Sequence, residues 1–200
     1  MEAVFSTAYW PPIACFAALR PSDVWVIEQH ENYQKQTIRS RCSICGANGA
    51  LPLVVPVVRR HGEKTPITEV LLDFSTPWQM IHWRAIASAY SSAPYFEYFA
   101  DEVEACYRLK GPVSLMDYNT RLLCLALNLM EWDVKVAFTQ EYAPSYPHDY
   151  RNSLPAYEPM PYYQVFARKH GFVPGQSILD LLFNEGNQAW RVLEAPAQGQ

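Results

Sequence analysis

The hydrophobic pattern of the first 28 residues predicts a strand, a helix and a second strand. Residues 3–9 read AVFSTAY, residues 13–20 read IACFAALR and residues 24–28 read VWVIE. Short apolar runs rich in β-branched and aromatic residues are typical of strands, and this alternation is typical of a βαβ unit with parallel strands. Because α/β sheets bind ligands at the carboxyl ends of their strands, we expect Tyr9 and Glu28 to bind substrate.

The segment ENYQKQTIRSRCSI, residues 31–44, begins just beyond the second strand and carries cations at odd positions. Read as a strand, it places Lys35, Arg39 and Arg41 on one face, because successive strand residues point to opposite sides. A guanidinium matches a phosphate or a carboxylate, and a lysine adds a point charge. We expect this face to bind an anionic substrate; the alternative is a solvated face that pairs with glutamates elsewhere.

A hairpin and further short strands are predicted next. Asn48-Gly49 supplies the two residues that a type I′ turn favours, so residues 39–46 and 51–58 are expected to pair antiparallel. Additional strands are predicted over residues 66–74 and 133–142.

Capping patterns predict the starts of three helices. Thr76, Pro77 and Gln79 form a capping box with a proline at the first helical position. Ser114 and Ser177, each followed three residues later by an aspartate, are the expected N-caps of two later helices.

Length and composition predict one domain. With 200 residues, of which 50% are hydrophobic, the chain can bury one substantial core. We expect a single α/β domain over residues 1–193, with a mixed β-sheet that starts with the βαβ unit, an edge hairpin, and helices packed on the sheet. Residues 194–200 are expected to form a disordered tail, because EAPAQGQ has little to bury.

Charge and motifs narrow the function classes. A net charge of −4 argues against general binding to nucleic acid or anionic membranes. The amino terminus lacks a signal-peptide pattern and LLCLALNLM is too short to span a bilayer, so we expect no membrane span and a cytoplasmic location. The chain has no G-x-S-x-G, P-loop or G-x-G-x-x-G motif, and no cofactor is indicated.

Cysteine spacing gives little support to a metal site. Cys42 and Cys45 form one C-x-x-C pair that His61 or Cys106 could complete, but no second pair follows. We expect no metal and interpret both as small residues of a hairpin strand.

His82 is the best candidate for a general base. It lies within the apolar stripe of the predicted second helix, and the ordinary pKa of histidine lies near working pH. The alternative is a core histidine hydrogen-bonded to a carbonyl. The other members of the stripe are Trp78, Ile81, Ala85, Ile86 and Ala89.

The proline- and tyrosine-rich segment over residues 143–164 is expected to be a functional loop, because loops of this length are uncommon in compact domains. Asp149 could orient His82 or take a proton from an amine, and Arg151 could clamp a carboxylate. The alternative is an exposed ion pair. Tyr95, in SAPYFEYF, is a candidate for stacking on a sugar or base.

Four segments together resemble the WbqC-like family, in the same order: YWPPIACFAAL, ENYQKQTIRSRCSI, HWRAIASAYSSAPYFEYF and YYQVFARKHGFVPGQSILDLLFNEG. The chain departs from the family pattern at Cys15-Phe16, where an aromatic pair is usual, and at Ser40, where an asparagine is usual. The resemblance implies a bacterial protein of O-antigen or other surface-polysaccharide biosynthesis, in which a glycine (aminoacyl) transferase acting on an amino sugar is the proposed role.

These observations lead to one functional expectation and one alternative. We expect group transfer to an amine, in which His82 or Asp149 removes the proton and the three cations hold the phosphate of an activated donor. The small-molecule partner would be a nucleotide sugar or an activated amino acid. The alternative is a non-catalytic nucleotide-sugar-binding or accessory protein.

Overall fold

The computed structural model describes residues 1–58, 64–154 and 157–194. Its strands are β1 (Glu2–Ser6), β2 (Val24–Glu28), β3 (Arg41–Gly46), β4 (Gly49–Val54), β5 (Val57–Val58), β6 (Leu71–Leu72) and β7 (Lys135–Phe138). Its α-helices are α1 (Ile13–Ala17), α2 (Trp78–Tyr90), α3 (Phe96–Ala105), α4 (Leu115–Leu129), α5 (Ala167–His170), α6 (Ile178–Glu185) and α7 (Ala189–Leu193).

The predicted βαβ unit is confirmed and forms most of a parallel sheet in the order β1, β2, β7. β1 pairs with β2 from Glu2 opposite Val24 to Ser6 opposite Glu28. β7 extends the sheet on the other side of β2. All three strands therefore end at one edge, which is where parallel sheets place their ligands.

The predicted strand over residues 31–40 is wrong, because β3 begins only at Arg41. Residues 35–40 form turns, and Gln36 has a φ of 60°, which a strand does not allow. The hairpin of β3 and β4 is confirmed, but its turn is one residue earlier than predicted, since Gly46 pairs with Gly49. The predicted strand over residues 66–74 reduces to a 3-10 turn, Ile67–Glu69, and β6.

Helix starts follow the capping patterns in part. Ser114 caps α4, since its hydroxyl accepts a 3.1 Å hydrogen bond from the Asp117 amide, as predicted. The capping box at Thr76 is wrong: α2 begins after Pro77, and the Gln79 side chain donates instead to the Tyr107 carbonyl.

The core lies between the sheet, the hairpin and the helices. α6 is buried from Ile178 to Asn184, so it is the central helix. Asp180 on this helix does not cap it; its carboxylate accepts hydrogen bonds from Tyr90, Tyr162 and Gln164.

The chain is thus a single α/β domain with a parallel sheet, an antiparallel hairpin and packed helices, as the sequence predicts. No helix among the described residues is long and apolar enough to cross a membrane. Most of the predicted tail, residues 195–200, lies outside the described residues.

Candidate functional site

Tyr9 and His82 meet in the core, as members of a buried chain of hydrogen bonds that we call the neutral relay. The Tyr9 hydroxyl lies 2.9 Å from His82 Nδ1 and 2.7 Å from the Tyr107 hydroxyl. The Trp10 indole donates to the same Tyr107 oxygen at 2.9 Å. The relay comprises Trp10, Tyr107, Tyr9 and His82, and each is at most 5% exposed.

One donor in the neutral relay is fixed by its chemistry. An indole N–H can only donate, so Tyr107 accepts from Trp10, whereas either hydroxyl can be the donor between Tyr107 and Tyr9. The Tyr9 hydroxyl also bonds His82 Nδ1, and the Val54 backbone hydrogen-bonds the His82 ring. The imidazole of His82 is therefore already hydrogen-bonded within the core.

Burial lowers the pKa of His82 from 6.5 to about 4, against the opposing effect of the Val54 hydrogen bond. The sequence correctly predicts an inward-facing histidine. A general-base role for His82 stays a prediction, and these contacts favour the alternative of a core histidine bonded to a carbonyl.

A second cluster lies at the carboxyl ends of the parallel strands and holds Glu28, Asp149 and Arg151. Arg151 Nη1 donates to Glu28 at 2.9 Å, and Nε and Nη2 donate to the two oxygens of Asp149 at 2.9 and 2.6 Å. Its other donors go to the carbonyls of Ala143 and Pro144 at 2.9 and 3.2 Å. A guanidinium has five N–H groups, so Arg151 has none left for a substrate.

The other contacts of this cluster also hold the loop to the sheet. Glu28 is fully buried and accepts further bonds from the His30 amide and the Thr139 hydroxyl, both at 2.8 Å. The hydrogen bond from Arg151 lowers the pKa of Asp149. Asp149 therefore contacts Arg151 rather than His82, and its role in removing a proton from an amine stays a prediction.

Arg39 forms a buried ion pair with Glu31 in the same region. Arg39 is 2% exposed, and its Nε and Nη2 atoms donate to the two carboxylate oxygens of Glu31 at 2.8 and 2.5 Å. Arg39 Nη2 also approaches the Arg151 carbonyl at 3.5 Å, which joins the two ion pairs. We call Glu28, Glu31, Arg39, Asp149 and Arg151 together the ionic network.

Glu31 is a candidate site residue that the sequence analysis missed. Burial raises its pKa, and this effect exceeds the lowering by Arg39. Residues that act as catalytic acids or bases are often carboxylates that have a raised pKa and lie at the edge of a cleft. The signal that could have found it is its position, three residues beyond the carboxyl end of β2.

A cleft of about 440 Å³ opens beside Glu31, and we call it the Glu31 cleft. A second cavity of about 170 Å³ adjoins it through the shared residues Gln34, Arg151 and Asn152. The volume lies within the range of about 300–1,000 Å³ that is usual for small-molecule sites. The Glu31 cleft is also lined by His30, Tyr33, Lys64 and Tyr142.

The remaining predicted site residues lie apart from one another. Lys35 is exposed, and neither it nor Arg41 makes an ion pair with any described residue. Because residues 35–40 are not a strand, the three cations do not share a face. Tyr95 lies at the start of α3 and lines a different cleft.

Cys42 and Cys45 both lie in β3, as the sequence predicts for a hairpin strand. Burial raises the pKa of the Cys45 thiol to about 11, and Asp180 adds to the increase. Within residues 1–58, 64–154 and 157–194, no group of three or more His, Cys, Asp or Glu residues could hold a metal ion. His61 lies outside the described residues.

The chain resembles known proteins over most of its length. It is 28% identical over 140 residues to the uncharacterized protein Rv1507c of Mycobacterium tuberculosis (strain ATCC 25618 / H37Rv). That match covers 70% of this chain and only 60% of the relative. No solved structure matches the chain. The model of the WbqC-like protein family matches residues 7–152, which include Tyr9, Glu31, His82 and Arg151. The chain therefore belongs to the WbqC-like protein family.

Proposed function

We propose that this protein is a cytoplasmic transferase of bacterial surface-polysaccharide (O-antigen) biosynthesis that moves a glycyl or other aminoacyl group onto an amino sugar. The observation that carries the proposal is Glu31, a carboxylate with a raised pKa at the wall of a cleft of substrate size. The family supports the biosynthetic setting.

In this proposal Glu31 replaces His82 and Asp149 as the base. The ammonium group of the amino sugar gives its proton to Glu31. The free amine then attacks the acyl carbon of the activated donor, a C–N bond forms, and the C–O bond to the phosphate-bearing leaving group breaks. The second proton of the attacking nitrogen leaves with the departing phosphate. The raised pKa of Glu31 makes it a stronger base than an ordinary glutamate.

The ion pair with Arg39 would position the base. Two hydrogen bonds from one guanidinium fix both oxygens of the Glu31 carboxylate, and Arg39 is itself held by burial. Lys64, which is exposed at the cleft, would contact the phosphate of the donor. Arg151 and Glu28 would hold the walls of the cleft rather than the substrate.

The second candidate is a non-catalytic nucleotide-sugar-binding or accessory protein. It is favoured by the saturated hydrogen bonding of Arg151 and Glu28, which holds these two charged side chains in fixed positions at the cleft. Such a protein would bind the same ligands with no turnover.

Glu31→Gln tests the proposal, because an amide keeps the shape of the side chain but cannot accept the proton. Transfer of glycine from a glycyl donor to an amino sugar should fall by about 10²-fold or more, while ligand binding persists. The measurements are product mass and calorimetric titration. Lys64→Ala, at an exposed position, is the companion variant and should weaken binding of the phosphate-bearing donor only.

Three results would count against the proposal or redirect it. Turnover retained in Glu31→Gln would reject Glu31 as the base. Binding of nucleotide sugars by the wild type with no transfer of any aminoacyl group would select the binding protein. If Glu31→Gln fails to fold because Arg39 loses its partner, the pH dependence of kcat in the wild type and in Lys64→Ala tests the proposal instead. A carboxylate base requires kcat to fall in acid, so a kcat that does not fall in acid would reject it.

A further inference from the structure

A second cleft, of about 480 Å³, lies where the first turn of α3 meets the end of α4 and the residues after α6. We call it the aromatic cleft. It shares no lining residue with the Glu31 cleft. Its lining includes Tyr95, Tyr98, Phe99, Leu129, Glu131 and Asn187.

The aromatic floor of this cleft is fixed by the backbone around it. The Tyr95 amide donates to the Phe183 carbonyl at 3.0 Å, and the Tyr95 ring stacks on Phe99 at 6.0 Å with an interplanar angle of 9°. Gly186 lies so close to Tyr95 that an added Cβ would come within 2.3 Å of the ring. Tyr98 is 73% exposed, so its ring is available to a ligand.

The rim of the aromatic cleft carries polar groups without partners. The hydroxyls of Tyr95 and Tyr98, the carboxylate of Glu131 and the Nδ2 atom of Asn187 make no hydrogen bond with any residue that the structure describes. An exposed ring beside free donors and acceptors matches a pyranose, which has an apolar C–H face and hydroxyl groups at its edge.

Glu131 occupies a backbone position that favours glycine. The Trp132 amide donates to the Leu127 carbonyl at 2.9 Å and the Glu131 amide to the Asn128 carbonyl at 3.0 Å, which is the Schellman pattern at the end of a helix. Glu131 stands at its left-handed residue with a φ of 54°. A side chain there costs stability, so the carboxylate is held at the cleft against local preference.

We propose that the aromatic cleft binds a saccharide, stacked on Tyr98 and hydrogen-bonded by Glu131 and Asn187. The occupant is neutral or carries an amine, because no Lys, Arg or His is among the described residues of its lining and Glu131 would repel a phosphate. This binding site goes beyond the proposed transfer reaction, and it holds for a catalytic or a non-catalytic protein.

The test is a saturation-transfer NMR titration of the whole protein with methyl β-glucoside, glucosamine and glucose 6-phosphate. Binding of at least one of the first two, and weaker binding of the phosphate, is expected. Tyr98→Ala should weaken it about tenfold, the loss of one aromatic contact. Glu131→Gly should weaken binding yet raise the melting temperature, because glycine relieves the left-handed residue. Tyr163→Ala, at a 54% exposed tyrosine outside the cleft, is the matched control.

Other results would overturn the proposal. They are an absence of saccharide binding by the folded wild type, an unchanged affinity in Tyr98→Ala, and an unchanged affinity in Glu131→Gly despite a raised melting temperature. A dimer in solution that Tyr98→Ala dissociates would also overturn it, since a second copy would then cover the cleft. The Tyr98→Ala and Glu131→Gly variants report on the aromatic cleft alone and Glu31→Gln reports on the Glu31 cleft alone, so the two proposals fail separately.

Discussion

The neutral relay and the ionic network bury polar groups by opposite means. In the neutral relay, Trp10, Tyr107, Tyr9 and His82 pass uncharged hydrogen bonds from one to the next. In the ionic network, Glu28 and Arg39 are 0% and 2% exposed, and each forms an ion pair with a residue of opposite charge. Burial thus neutralises the histidine, whereas ion pairing lets charged groups stay at the strand ends.

The comparison indicates where chemistry can occur. His82, with its lowered pKa, is enclosed by aromatic rings, hydrogen-bonded to Tyr9 and almost closed to solvent. Among the carboxylates of the ionic network, Glu31 alone combines a raised pKa with a position in the wall of the cleft. Charge at the carboxyl ends of the sheet is therefore a better guide to the candidate site than the presence of a histidine.

The largest expected effect comes from removing one charge of the ionic network. Arg151→Met leaves Glu28 buried without its cation, which should lower the free energy of unfolding by about 3–5 kcal/mol. Urea unfolding followed by circular dichroism measures it. Arg108→Ala is the control, because its pair with Glu104 is exposed and should contribute less than about 0.5 kcal/mol. Equal effects of the two variants would show that Arg151 is not a structural clamp.

Sequence reasoning worked where local signals decide structure. The βαβ unit and the Ser114 cap follow from patterns within a few residues, and both are confirmed. The predicted strand over residues 31–40 is wrong because alternating cations fit a strand as well as they fit a series of turns. In the structure, the Arg39 pair with Glu31 and the turn at Gln36 interrupt any strand.

Long-range partners explain the rest of the candidate site. The inward face of His82 follows from helical periodicity, but Tyr9 lies 73 residues away along the chain and Tyr107 lies 98 residues from Tyr9. Arg151 reaches Glu28 across 123 residues. No local pattern in a single sequence predicts such contacts. The sequence therefore could not identify the partners that decide what His82 and Arg151 do.

A pH titration of stability sharpens the comparison with an intermediate effect. The pKa of His82 is about 4 in the folded state, against an ordinary value of 6.5. As the pH falls, His82 is therefore protonated in the unfolded chain before it is protonated in the folded chain. The stabilisation is complete above pH 6.5 and is lost as pH falls towards 4, by about 3 kcal/mol at most. Glu31 acts in the opposite sense, because its raised pKa favours the folded state in acid.

The variant His82→Leu separates the two contributions. It should flatten the loss of stability between pH 6.5 and 4, although it is less stable at neutral pH because the Tyr9 hydroxyl loses a hydrogen-bond partner. His170→Gln, at an exposed histidine of α5, is the matched control. The measurement is the urea midpoint at several pH values. A slope that is the same in His82→Leu and the wild type would mean that His82 is not held neutral by the fold.

The smallest expected effect distinguishes two cations that the sequence treats alike. Lys35→Ala removes an exposed side chain that has no ion pair within the described part of the chain, so the free energy of unfolding should change by less than about 0.5 kcal/mol. Arg39→Ala, measured in the same urea series, should cost several kcal/mol because Glu31 would stay buried without its cation. A large loss of stability in Lys35→Ala, or equal losses of donor binding in Lys35→Ala and Arg39→Ala, would support the prediction that these cations share one face. A loss confined to Arg39→Ala would instead mean that the alternation of charges in residues 31–44 reflects a buried pair.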